Sequence, residues 1–170
     1  MRKIILLALG FIGINTAANA QATASATATA IIITPITITK TVDMHFGNVA
    51  VGASSGDVVL TPAGTRTANG GVTLPATVGS PAAASFDVTG QASYTYAITL
   101  PSAPVTITNA TAQTMTVDVF TSNPSGTGTL GVGAPGTQTV TVGATLQVGA
   151  SQAAGTYVSG TPFDVTVNYN

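Results

Sequence analysis

The chain contains no cysteine, no tryptophan and no glutamate, and charged residues make up 5% of its 170 positions, against about 25% in an ordinary soluble domain. Without cysteine there is no disulfide, so the fold must hold by packing alone. Cations are as scarce. Arg2 and Lys3 stand at the extreme N-terminus, leaving Lys40 and Arg66 for everything after it, against Asp43, Asp57, Asp87, Asp118 and Asp164. Nucleic acids and acidic membranes are bound through clustered Lys and Arg that displace counterions. This chain has no such cluster, and those partners are excluded from the expectation. The lack of tryptophan also removes the usual platform for a sugar ring.

The deficit is filled by Thr, Ser, Gly, Ala and Val. A mean hydropathy of +0.47 and abundant β-branched residues argue against charge-driven disorder. The composition is that of a neutral β-protein coated in hydroxyls, which suits fibres and layers, where chains meet over large areas and buried charge is costly.

Residues 1–20 read as a secretory signal peptide. Arg2 and Lys3 form the charged start, Ile4 to Ile14 the apolar run, and Ala18-Asn19-Ala20 the small-residue cleavage site, with the run too short to span a bilayer. Cleavage would leave a mature chain beginning at Gln21, exported through the periplasm and not inserted in a membrane. About 150 residues suffice for one core without staples.

Beyond the signal, no window shows the i, i+3, i+4, i+7 apolar face of a helix, and Gly or Pro interrupts most stretches of a dozen residues. Period-two patterns predict strands at Ile36 to Val42, Val58 to Leu60, Val72 to Leu74, Ala84 to Thr89, Tyr94 to Leu100, Val105 to Ile107, Gln113 to Thr121, Thr137 to Val148 and Phe163 to Tyr169. Turn chemistry is expected at Gly52 to Gly56, Asn69 to Gly71, Pro101 to Pro104, Asn123 to Gly126 and Gly133 to Gly136. Many short strands with frequent turns predict an all-β fold, an antiparallel β-sandwich of the immunoglobulin type.

Two segments stand out at the ends. Ala22, Ala24, Ala26, Ala28, Ala30 and Ile32 alternate with Thr23, Ser25, Thr27, Thr29 and Ile31, and Pro35 separates this run from the first body strand. The pattern describes a strand lying outside the domain, with one apolar and one hydroxyl edge. At the other end, Phe163, Val165, Val167 and Tyr169 point one way while Asp164, Thr166 and Asn168 point the other. Nothing after this strand can pair with its outer edge, and a bare edge invites aggregation unless covered. The N-terminal segment is the available cover, from the same molecule or another.

The run Ile36-Thr-Ile-Thr-Lys-Thr-Val-Asp-Met-His-Phe-Gly-Asn-Val49, with its Phe-Gly turn, and the ending from Ala154-Gly-Thr-Tyr157 to Phe163-Asp-Val-Thr-Val-Asn-Tyr-Asn170 resemble the secreted bacterial family known as domain of unknown function 4402. The ending is also similar to chaperone-usher pilins of the spore coat U type. That second resemblance implies an incomplete sandwich, held by a periplasmic chaperone and completed at an outer-membrane usher by the N-terminal extension of the next subunit. Carried over, Ala22 to Ile32 is the donor strand, Phe163, Val165 and Val167 line the strand beside the acceptor groove, and Tyr169 is the penultimate aromatic. The chain departs from that pattern in lacking cysteines and in presenting mostly Ala on the donor face.

Catalytic chemistry has little to work with. The aspartates are scattered, and His45 is the single histidine, so a Ser or Thr nucleophile has one conventional base available. Asp43 and His45 share a strand face, but two ligands do not make a metal site. No enzyme activity, metal or cofactor is expected. Asn109-Ala110-Thr111 matches the glycosylation pattern by chance in so Thr-rich a chain. Tyr94 and Tyr96 are read as a core-facing pair.

The expected organisation is a signal at 1–20, an extension at 21–34 and a β-sandwich at 35–170. The expected function is a pilin-like structural subunit forming a homopolymeric cell-surface filament, for adhesion or biofilm growth, by donor-strand exchange. The alternative is a self-complemented monomeric secreted sandwich, serving as a carbohydrate-binding or surface-layer module.

Overall fold

Thr, Val and Ile carry a branched Cβ that is stiff in a helix and packs well on a pleated surface, and they recur at alternate positions through most of this chain. The computed structural model describes residues 21–170, and over them the backbone forms eleven strands and no helix, hence none that could cross a membrane. The secretion signal read at residues 1–20 lies outside the described residues. The chain divides between Ile32 and Ile33. Residues 21–32 form no strand and are exposed throughout. The strand expected there is therefore not formed in the single chain, where none of these residues joins a described ladder.

From Ile33 onward the strands are β1 (Thr37–Val42), β2 (Ala50–Leu60), β3 (Arg66–Thr73), β4 (Ala84–Gly90), β5 (Thr95–Thr99), β6 (Val105–Thr108), β7 (Thr114–Asn123), β8 (Thr127–Thr129), β9 (Gly136–Val148), β10 (Val158–Ser159) and β11 (Thr166–Tyr169). All pairings are antiparallel. The larger sheet runs β1, β4, β9, β7, β6, β10, with β2 joined to β9 and β3 to β2; the smaller runs β11, β5, β8.

β9 organises the larger sheet. Along one side its residues Gly136 to Val142 pair with β4 and Ala144 to Val148 with β2, while β7 occupies the other side. Gly143 sits where the neighbour changes. A Cβ there would lie 2.1 Å from the Leu60 carbonyl oxygen, so only hydrogen fits against the end of β2.

Two apolar clusters result. The first joins both sheets face to face: Phe86, Val88, Val140 and Val142 from the larger sheet meet Tyr96, Ile98 and Val167 from the smaller, with Leu130 and Val165 beside them. The second gathers Val58, Val72, Val117, Ala144, Leu146 and Val148, all from the larger sheet. Phe120 packs against both. Its ring lies 5.1 Å from that of Phe163, which in turn meets Phe86 edge-on at 6.4 Å, so three phenylalanines mark the border.

The structure corrects several expectations. Gly52 to Gly56 and Asn69 to Gly71 are not turns but lie within β2 and β3, where the register shifts between Val51 and Gly56. These glycines let two backbones meet: a Cβ on Gly71 would lie 2.0 Å from the Ser54 carbonyl oxygen. The β2–β3 reversal is at Thr61 to Thr65, with Gly64 at φ 81°. β8 and β10 were not expected, and β11 begins at Thr166 rather than Phe163. Tyr94 and Tyr96 are not a core pair. Tyr96 is fully buried and donates to Gln138 Oε1 at 2.7 Å, whereas Tyr94 precedes β5 and is 44% exposed.

Candidate functional site: an open apolar groove

The smaller sheet has strands only over the first cluster. Over the second, a cavity of about 990 Å³ opens. Its floor is the inward face of β6, β7 and β9, carried by Val105, Ile107, Met115, Val117, Leu146 and Val148 at alternate positions. One wall is the chain from Lys40 to Val51, and the other runs from Gln152 to Ser159 and through Pro162 and Phe163.

The first wall is held by hydrogen bonds rather than by a full ladder. His45 and Ala82 exchange both backbone bonds at 2.8 Å, and Asn48 donates its N–H to the Val78 carbonyl at 2.9 Å. Arg66 donates through Nη1 to the Phe46 and Asn48 carbonyls at 2.6 and 3.0 Å. Gly47 stands between them at φ 70°, where a Cβ would lie 2.2 Å from the Val78 carbonyl oxygen. The Phe-Gly turn is thus a tight bend clamped by one of the few cations.

The second wall is pinned by Gln152 and Tyr157. Gln152 Nε2 donates to the Thr114 carbonyl at 3.1 Å and to the Tyr157 hydroxyl at 2.9 Å, and that hydroxyl donates to the Ala153 carbonyl at 2.7 Å. Beyond it, the two residues of β10 pair with Thr108 and Ile107 of β6. Asn109 shapes the nearby β6–β7 turn. Its Oδ1 accepts from Thr111 N–H, Thr111 Oγ1 and Gln113 N–H at 2.8 to 3.0 Å, and the residue is 8% exposed, which gives the glycosylation match a structural role.

Each wall leads into a strand with one neighbour. β1 pairs with β4 alone and β11 with β5 alone. Their outer edges carry unpaired backbone donors and acceptors beside an apolar trough, the arrangement that accepts an added strand. The trough is nearly uncharged. Lys40 and Asp43 at its rim neutralise one another at 2.6 Å. His45 Nδ1 accepts from the Gly47 N–H at 2.8 Å, and among the described residues no three Asp, His, Glu or Cys side chains gather as a metal site would require.

Of the expected acceptor residues, only Phe163 lines the groove. Val165 and Val167 are buried in the closed cluster, and Tyr169 packs against its flank. The expected donor residues Ala22, Ala24, Ala26, Ala28, Ala30 and Ile32 are all exposed. The groove's main lining, Met44, Phe46, Ile107, Met115 and Leu146 among it, was not anticipated from the sequence. The available signal was the alternation of Val42, Met44 and Phe46 through the end of β1 and the irregular segment that follows it.

No curated protein and no solved structure matches the chain. The family model described as Domain of unknown function (DUF4402) matches residues 36–169, from just before β1 to the end of β11, and includes both walls of the groove. The chain belongs to the DUF4402 family.

Proposed function

We propose that this chain is a structural subunit that polymerises by strand addition. Residues 22–32 of one copy enter the groove of another, placing Ala22, Ala24, Ala26, Ala28, Ala30 and Ile32 over the apolar floor and pairing along the free edge beside Phe163, Val165, Val167 and Tyr169. The domain is then an incomplete immunoglobulin-like sandwich, and the product a cell-surface filament for adhesion or biofilm growth. Periplasmic chaperone and usher proteins are the partners this reading calls for, in keeping with the resemblance of the chain's ending to pilins of the spore coat U type.

The observation that carries the reading is the groove, an apolar cavity of about 990 Å³ flanked by two strands that each lack a neighbour. Eleven extended residues span about 36 Å, enough for a sandwich edge. Burying a Val- or Leu-sized side chain contributes roughly 1.5–3 kcal/mol, and an Ala knob less than half of that, so main-chain pairing carries most of the join. A head-to-tail contact that does not close on itself extends into a filament. Its persistence would be kinetic, since release needs a whole strand to unzip.

The test is the size of the mature protein in SDS before and after boiling, made with and without residues 21–34. Ladders that collapse to monomer on boiling, lost in the truncated form and replaced there by a stable complex with an added 22–34 peptide, support strand addition. A full-length protein that stays monomeric at every concentration supports the self-complemented sandwich instead.

A further inference from the structure

Thr34 is the last residue before Pro35, and proline has no N–H to carry a ladder further back along the chain. At that point side chains take over. Thr34 donates its N–H to Gln91 Oε1 at 3.2 Å, and its carbonyl accepts from the Tyr169 hydroxyl at 2.8 Å. The same hydroxyl accepts from the Gln91 N–H at 2.6 Å. Both backbone groups of Thr34 are therefore held by side chains, one from Gln91 and one from Tyr169, and the Tyr169 hydroxyl is tied to the Gln91 backbone as well. The Tyr169 ring is fixed edge-on against Tyr94, centroids 5.7 Å apart. Gly90 leaves the space the hydroxyl needs, for a Cβ there would lie 2.3 Å from it.

We propose that Gln91 and Tyr169 form a clamp that fixes the root of the N-terminal extension to the C-terminal strand, making Tyr169 a positioning residue for strand addition. The positioning role rests on the strand-addition reading; the clamp itself does not. β11 offers its free edge to an incoming strand and, through its last aromatic ring, grips the point from which its own subunit's extension departs. Tension along a filament enters each subunit beside β11 and leaves through Thr34, so the hydroxyl closes the shortest path between the two. Without it, load on the extension reaches the body through Pro35 and Ile36, neither of which lies in a strand.

The experiment compares the mature full-length protein with its Tyr169→Phe and Gln91→Met variants. Tyr169→Phe keeps the ring, and Gln91→Met keeps Tyr169 intact should the first variant fold poorly. Amide hydrogen exchange is followed at Thr34 by NMR in the monomer, with Ile98 in β5 as the internal reference. The clamp predicts that Thr34 exchanges roughly five- to tenfold faster in each variant while Ile98 is unchanged. Equal Thr34 rates in the parent and both variants overturn it. Electron micrographs then read the positioning role: filaments of the Gln91→Met variant, which leaves the acceptor strand β11 untouched, bend more sharply between subunits than the parent's. Filaments as straight as the parent's overturn positioning alone. If the parent forms no filament, the strand-addition reading falls with the positioning role, and the exchange data still decide the clamp.

Discussion

The two halves of the sandwich are built on the same long strand, and they end differently. Around the first part of β9, two sheets close on Val140 and Val142, both fully buried, with Leu130 and Tyr96 sealed from solvent opposite them. Around its second part, Leu146 and Val148 belong to a cluster drawn from one sheet, bordered by two segments that hold only strand ends and the two-residue β10 and leave a cavity between them. Strand chemistry is the same in both; what differs is the count of strands above it. A core strand that runs from a closed half into an open one gives the domain a finished core at one end and an apolar groove at the other.

The largest effect that would break this comparison comes from outside the body. Ala26→Asp places a carboxylate in the middle of the extension's apolar edge, and burying it without a partner costs several kcal/mol. Assembly should be lost by size-exclusion chromatography while the monomer's melting temperature stays the same, because residue 26 is exposed and in no strand.

Within the body, Leu130→Ala cuts a fully buried side chain from the closed half and should cost about 2–5 kcal/mol in urea unfolding. Ile107→Ala, on the half-buried groove floor, should cost about 1 kcal/mol in the monomer, since little apolar contact is lost there. The gap should narrow when a strand fills the groove. Equal costs in the free monomer would mean that the second half is already closed.

A smaller effect belongs to pH. Burial pushes the Tyr96 hydroxyl above its ordinary pKa of 10.0. Below pH 10 the residue is neutral in both states and stability from this source is intact. As pH rises from about 10 toward the folded value, the unfolded chain loses its proton first and stability declines. Tyr96→Phe should remove that decline, at the cost of the hydrogen bond to Gln138, about 1 kcal/mol. Urea midpoints at pH 8 and above 10 check both.

Most strands were legible because one rule, alternate burial, governs them; Ala84 to Gly90 alternates between core and rim almost without fault. The glycines of β2 and β3 misled because glycine serves a turn and a close approach of two backbones equally well. Only the fold shows that Gly56 and Gly70 face each other across a ladder. Tyr169 was legible as an aromatic at the right place, yet its hydroxyl's partners, Thr34 and Gln91, lie 135 and 78 residues away and carry no local signature. The groove was the least legible feature, being defined by the part of the larger sheet that the smaller one leaves uncovered.

The most direct measurement uses the lack of native cysteine. Ala28→Cys is placed in one batch of mature protein and Ile107→Cys, on the groove floor, in another; the two are mixed and oxidised, with Thr139→Cys on the outer face as control. The account predicts a disulfide-linked dimer from the Ala28→Cys and Ile107→Cys mixture and none from the control. A protein carrying both substitutions that instead oxidises only to a closed monomer, with no dimer in the mixture, would contradict it.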